Sequence, residues 1–360
     1  MRVLIVVTHL LGTGHLARAL VLGRAFADAG WQVRVASGGR AVPHLDATGV
    51  DLVQLPAVHV EGTDFGTLHG PDGPASARYM QARQHALLAC LDPRPDLLVT
   101  ELFPFGRRSL RAEFGALLDA AAGIPALASI RDILAPPSKP ARATWTEEVI
   151  ARHYTGVLVH SDPSLIPLAA SWPVTPALAD VLHYTGFVAP PMPVAVDASA
   201  GEVLVTAGGG AVGHKMFTVA AEAAAADPHR TWRCLTRAEI TGPPNMLVEP
   251  PRPDFRNLLP KAAALVGMCG YNTAMDVLQT GVPALFVPFD DGGEVEQSLR
   301  AGALSDQPGI AVMRSAQLTG PTLLAALTRV SAAPARPART AGMDGAAQTV
   351  RIARKLIRAH

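Results

Sequence analysis

Cysteine is scarce in this chain. Cys90, Cys234 and Cys269 are the three in 360 residues, far apart and without CxxC spacing. That argues against a disulfide framework and a cysteine zinc site, and a reducing compartment is the default. Charge of either sign in surplus is also missing, with 31 Lys+Arg against 30 Asp+Glu. A general nucleic-acid binder needs a basic excess, so nucleic acid is not expected as a partner. No apolar run reaches the ~18 residues of a membrane span. The apolar stretch after Arg2 is broken at Thr8-His9, too early for a secretory signal. The expected location is cytoplasmic, with peripheral contact at the inner face of a membrane left open.

What is present is apolar sequence arranged in alternation. Hydrophobic residues make up 49% of the chain, enough to bury a sizeable core in about two domains at roughly 150 residues each. Val3 to Val7 reads as a buried strand and Leu16 to Ala29 as a helix closed by Gly30. "WQVRVAS", "DLLVTE", "ALASIRD" and "GVLVHSD" read as further strands, with "SLRAEFGALLDAAAG" as a helix among them. "APPMPVAVDAS", residues 189–199, is proline-dense and marks a linker. The pattern then restarts, with strands in "EVLVT", "RTWRCLT", "NMLVEP", "AAALVGM" and "PALFVP". "GYNTAMDVLQTG" reads as a helix closed by Gly281, and "EVEQSLRAGAL" as another. Strand and helix in turn mean parallel sheets covered on both faces. The expected domains are 1–188, 200–345, and a basic terminal helix over 346–360 that packs back on the first. "SAAPARPART" near residue 335 reads as the loosest segment, a surface loop.

Two glycine loops follow the first strand of each half. Gly12, Gly14 and Ala17 fit the dinucleotide pattern G-x-G-x-x-A. Thr8 to Leu11 spaces them too far from the strand, and "VASGG" supplies no acid for a ribose, so a nicotinamide site is disfavoured. An ordinary strand-to-helix turn is one alternative. The other is a ligand loop with His15 at the start of the helix, placed to take a proton from a hydroxyl; the plain alternative for His15 is a satisfied core histidine. Gly208, Gly209 and Gly210 follow a strand directly, where backbone N–H groups and a helix dipole suit a phosphate. The loop lacks the G-K-[ST] ending of a P-loop. His214 and Lys215 are either extra charge near a diphosphate or a solvated first turn. Asp276 is read in the first turn of its helix, as a diol ligand or as half of a capping box with Thr273. Glu296 can pair with Arg300 four residues on, while Gln297 has no such plain role. Glu101 and Arg131-Asp132 end strands of the first half, on the acceptor side of a site or in a structural ion pair. Asp290-Asp291 reads as a loop rather than a metal motif, and no metal site is expected.

Taken together these residues resemble glycosyltransferase family 28 of the GT-B fold, which includes peptidoglycan N-acetylglucosaminyltransferases and plant galactolipid synthases. The resemblance is nearest to a bacterial branch and covers nearly the whole chain. It implies an α/β protein of two Rossmann-like, doubly wound domains facing across a cleft. "GTGH", with Gly12, Gly14 and His15, matches the loop that faces the acceptor. "AGGGAVG" matches the loop beside the diphosphate. "GYNTAMDVLQTGVPALFVPF", with Gly270, Asn272, Thr273 and Asp276, matches the donor signature, Asp276 standing where a glutamate usually holds the ribose. Glu296-Gln297 stands where two glutamines contact the sugar. The implied reaction is inverting transfer from a nucleotide-diphosphate sugar, uridine-linked, to an acceptor hydroxyl of unstated identity, with His15 as base or as the residue that orients the hydroxyl, and with no metal or cofactor. A monomer or homodimer is expected. The rivals are a nucleotide-sugar hydrolase or epimerase of the same fold, and a non-catalytic sugar-nucleotide binder.

Overall fold

The computed structural model describes residues 1–10, 12–43, 45–61, 66–207, 213–290 and 294–359. They form two compact units, Met1–Val188 with Asp344–His360, and Ala189–Met343. The first unit runs β1 (Arg2–Val7), α1 (Gly14–Asp28), β2 (Gln32–Ser37), β3 (Asp51–Gln54), a short hairpin of β4 (His69–Gly70) and β5 (Gly73–Pro74), α2 (Ala77–Ala89), β6 (Leu97–Glu101), α3 (Arg111–Ala120), β7 (Ala126–Arg131), α4 (Pro140–His153), β8 (Gly156–His160), α5 (Pro176–Ala179) and β9 (Leu182–Tyr184). The second runs β10 (Val203–Thr206), α6 (His214–Ala226), β11 (Trp232–Leu235), β12 (Met246–Glu249), α7 (Phe255–Leu258), β13 (Ala264–Gly267), α8 (Tyr271–Thr280), β14 (Ala284–Phe286), α9 (Glu296–Leu304), β15 (Ile310–Val312) and α10 (Gly320–Ala332). The chain then returns to the first unit as α11 (Gly345–Ala359).

Both sheets are parallel and doubly wound. The first has seven strands in the order β3-β2-β1-β6-β7-β8-β9, the second six in the order β12-β11-β10-β13-β14-β15. The side-chain period of two explains why such strands read as unbroken apolar runs. Leu4 and Val6 of β1 join the core built with Leu87, Phe114 and Ile150 of α2, α3 and α4. Val3, Ile5 and Val7 face the opposite way, onto Leu16, Leu20 and Phe26 of α1 and Val350 and Ala353 of α11. In the second unit Val203 and Val205 pack with Met216 and Phe217 of α6 and Leu323 and Leu327 of α10. A sheet wound this way reverses strand order once, and ligands bind outside the carboxyl ends of the strands there. That point lies between β1 and β6 in the first unit and between β10 and β13 in the second.

Two expectations need correction. The segment near residue 335 is a surface loop as expected, but it is not loose. The Arg336 guanidinium donates to the carbonyls of Pro308 (2.7 Å), Val277 (3.1 Å) and Val282 (2.8 Å), and Arg339 N–H donates to Leu278 at 3.0 Å. The segment closes the carboxyl end of α8, and Gly281 there has φ 72° with the Arg336 carbonyl 2.3 Å from where a Cβ would sit, so only glycine fits. Asp276 is not in the first turn of its helix either. Gly270 is the N-cap and makes no side-chain cap bond, so Thr273 and Asp276 form no capping box, and Asp276 falls in the second turn.

Candidate active site

The first switch point brings together residues far apart in sequence. β1 leads through the loop carrying Gly12 into α1, whose N-cap is Thr13. Gly12 has φ +61°, and a Cβ on either Gly12 or Gly14 would meet nothing within 4 Å, so space lies over this loop. His15 sits in the first turn of α1, and Glu101 ends the neighbouring β6. Strand order makes them neighbours: His15 Nδ1 lies 2.8 Å from Glu101 Oε1, although 86 residues separate them. Arg18, one turn along α1, donates to the same carboxylate oxygen. Glu101 is thus ion-paired, but to Arg18.

The electrostatics select one tautomer. Burial alone would push the Glu101 carboxyl up, but the facing His15, the Arg18 guanidinium and Arg107 carry it below the usual carboxylate range. An ionised carboxylate only accepts, so Nδ1 must carry the hydrogen and donate it. The hydrogen is therefore off Nε2, which has no hydrogen-bond partner among the described residues. Burial holds the ring neutral, at about 3, against the pull of the Glu101 charge, while Arg107 and Arg131 add to the lowering. The ring keeps 13% of its side-chain exposure, against 1% for Glu101. A neutral imidazole with a bare Nε2 is the form that accepts a proton.

Around this pair the other residues are fixed. Arg131 ends β7 and acts on His15 through its charge. Arg107 Nε donates to the Thr8 carbonyl at 2.5 Å. It adopts φ 60°, and Leu102, the residue after Glu101, adopts φ 67°. Left-handed backbone at two non-glycine residues is strain of a kind that gathers at functional sites. His160 ends β8, held between Ser129 Oγ (2.8 Å) and Thr185 Oγ1 (2.9 Å), and burial keeps it neutral, at about 3. Arg83 of α2 is wholly buried and pairs with Glu113 through two bonds of 2.7 and 3.0 Å, while also donating to Gly38, Pro56 and Thr8.

In the second unit the predicted residues divide. Gly208, Gly209 and Gly210 lie outside the described residues, as does Asp291. Gly270 caps α8, and Asn272 and Thr273 stand in its first turn, Asn272 exposed. Asp276 is buried, and its carboxylate receives the Arg256 Nε at 2.5 Å. The same guanidinium donates to Gln279 (2.6 Å) and to the Pro191 carbonyl (2.9 Å), and Gln279 donates to the Pro190 carbonyl (2.9 Å). α8 is thereby tied to the segment that opens this unit. Glu296 starts α9, and Gln297 beside it accepts from Phe289 N–H at 3.2 Å. Arg300, weighed as a partner of Glu296, is buried and donates to the Cys269 carbonyl at 3.0 Å, with its guanidinium over the Tyr271 ring. Lys215 donates to the Ser315 carbonyl.

Sequence reading singled out His15 and Glu101 but not their contact, and it missed Arg18, Arg107, Arg83 and Arg256. Arg18 had a signal, its three-residue spacing from His15, which puts both on one side of a helix. Arg256 had none. No group of metal-ligating side chains occurs among the described residues. No helix among them is long and apolar enough to cross a membrane.

Paired parallel sheets of this winding place the chain in the GT-B fold, and solved structures agree along its whole length. MurG of Acinetobacter baumannii is 15% identical, with 100% of each chain covered and a TM-score of 0.63. The spinosyn rhamnosyltransferase SpnG, solved with thymidine diphosphate, is 19% identical over 98% of this chain and 100% of that one, at 0.61. UGT2 of Phytolacca americana, solved with UDP-2-fluoro-glucose and pterostilbene, is 15% identical over 99% and 100%, at 0.59. At these identities the likeness establishes the fold. No curated protein matches the chain by sequence. Residues 250–356 match the glycosyltransferase family 28 C-terminal domain. The chain thus has the GT-B fold, and its residues 250–356 are similar to the glycosyltransferase family 28 C-terminal domain.

Proposed function

We propose that the protein transfers a sugar, with inversion, from a uridine-diphosphate donor to an acceptor hydroxyl, and that it needs no divalent metal. The observation that carries this reading is the His15–Glu101 contact at the first switch point. His15 Nε2 takes the hydroxyl proton as oxygen attacks the anomeric carbon, and Glu101 stabilises the imidazolium that forms. Gly12, Gly14 and Arg131 border the acceptor hydroxyl. Arg131 and Arg107 orient the acceptor without themselves moving protons.

The second unit holds the donor. Gly208, Gly209 and Gly210, which precede α6 in the chain, stabilise the charge that builds on the leaving diphosphate through main-chain N–H groups. Gly270, Asn272 and Thr273 at the start of α8 extend this surface, and Glu296 and Gln297 meet the sugar. Asp276 takes the ribose hydroxyls, a role that requires Arg256 to share its carboxylate. SpnG and UGT2, solved with nucleotide ligands, support the class of donor. Four basic residues of α11, Arg351, Arg354, Lys355 and Arg358, follow the i, i+3, i+4, i+7 spacing of one helix face; with Arg351 paired to Asp344 and Arg354 bonded to the Ala29 carbonyl, a solvated face is the first reading and peripheral contact with an anionic membrane the second.

Thermal shift with uridine, thymidine and guanosine diphosphates tests the donor, and uridine diphosphate should raise the melting temperature most. Product anomer by NMR tests inversion, and turnover in EDTA tests metal independence. Free sugar released without acceptor would instead indicate a hydrolase, and interconversion of two donor sugars an epimerase.

A further inference from the structure

We infer that Arg18 is a positioning residue: seated one turn beyond His15 on α1, its guanidinium holds the Glu101 carboxylate as a fixed anion against the His15 ring. The inference rests on the reading of His15 as base, and it adds a third member to that pair.

Glu101 is 1% exposed and Arg18 6%, so neither charge is shared with water. A carboxylate buried alone takes up a proton rather than remain charged. Glu101 Oε2 is buried and has no hydrogen-bond partner among the described residues. Both of its contacts therefore fall on Oε1: the Nδ1 of His15 and the Nη2 of Arg18. Of these only Arg18 brings a permanent charge. Arg18 also lies 3.4 Å from His15 Nδ1, so the three groups form one cluster.

Removing the guanidinium changes which nitrogen holds the hydrogen. The buried pair then gains a proton at higher pH. If the proton goes to Glu101, the neutral acid donates to Nδ1 and the ring hydrogen moves to Nε2. If it goes to the ring, both nitrogens are protonated. Either way Nε2 is no longer free to accept. The charged and titratable groups facing this pair are His9 beyond β1, Arg18 on α1, Arg107 after β6, Arg131 at the end of β7 and His160 at the end of β8. Arg107 and Arg131 remain in any Arg18 variant, and neither is in hydrogen-bond contact with Glu101 in the described structure.

The test is a pH titration of histidine-15N-labelled protein between pH 8 and 4, with the His15 signals assigned by their loss in His15→Gln. Wild type should show hydrogen on Nδ1 across the range. Arg18→Met and Arg18→Gln should protonate Nε2 at least about one pH unit higher than wild type, as expected on losing an adjacent opposite charge. Arg18→Lys should restore most of the wild-type behaviour. Unchanged His15 tautomer and titration in a folded neutral variant would overturn the inference, whatever its melting temperature. If neither neutral variant folds, Arg18→Lys decides: its retained charge should keep the hydrogen on Nδ1 and Nε2 bare over most of the range, and a folded Arg18→Lys whose Nε2 is protonated throughout would overturn the role. The spectrum needs no substrate. Failure of the His15 reading shows separately, as full turnover in His15→Ala.

Discussion

The two switch points share one strand order and differ in what stands there. In the first unit an ionised, buried carboxylate faces an imidazole, and one ring nitrogen is left without a partner among the described residues. In the second, three of the described polar side chains are already engaged: Asp276 by Arg256, Gln297 by the Phe289 amide, and Arg300 by the Cys269 carbonyl. One region leaves an imidazole nitrogen open beside a buried anion, as the proposed proton transfer requires; the described polar side chains of the other are tied into internal hydrogen bonds. A doubly wound sheet thus supplies a place for a ligand but not a chemistry, which comes from a few side chains at the strand ends.

The largest expected effect breaks the first region alone. His15→Ala should lower turnover by about 10²–10⁴-fold, the usual value of general-base help, while donor affinity measured by calorimetry stays at wild type. Retained turnover would end the division between the regions. Next comes a contrast inside the first unit. Arg83 is as buried as Glu101, but its pair is saturated with partners. Arg83→Met strands Glu113, whose carboxyl burial already pushes up, and should cost about 3–5 kcal/mol in chemical unfolding. A small loss there would show that full pairing is not what separates structural from catalytic charge.

A smaller effect sharpens the second region. Arg256→Ala leaves Asp276, whose carboxyl burial pushes up, without its cation. The pair is only partly buried, so the loss should be about 1–3 kcal/mol, below that of Arg83. If Asp276 also holds ribose, donor binding should weaken as the carboxyl protonates; unchanged binding would leave Asp276 a structural residue. The last effect is in pH, and it is spread over several units rather than tied to one substitution. His15 and His160 sit at about 3 in the folded protein against an ordinary 6.5. The unfolded chain binds more protons between those values. Their stabilising contribution is therefore present above about pH 6.5 and lost as pH falls toward 3. The melting temperature should decline over that window, and a flat profile would place solvent at both rings.

Much of the architecture was legible. β1, β2, β6, β7 and β8 are short apolar runs between turn residues, and each was readable as a strand. The elements that escaped were polar or short. α2 buries Arg83 and Leu87 along an otherwise polar stretch, and β3 is an edge strand with largely exposed residues. Neither has the apolar period that marks an element. Arg336 escaped for a different reason: a long side chain on an irregular proline-rich segment gives no local sign that it binds three carbonyls.

By itself the sequence determined where strands and helices alternate, where glycines open the loops after them, and that His15 would begin a helix. These follow from residue spacing and backbone freedom, which are local. Only the tertiary structure decided that His15 meets Glu101, that Arg18 shares the same oxygen, and that Arg256 occupies Asp276. Those contacts depend on which strands become neighbours and on charges buried together, and no window of sequence contains both partners.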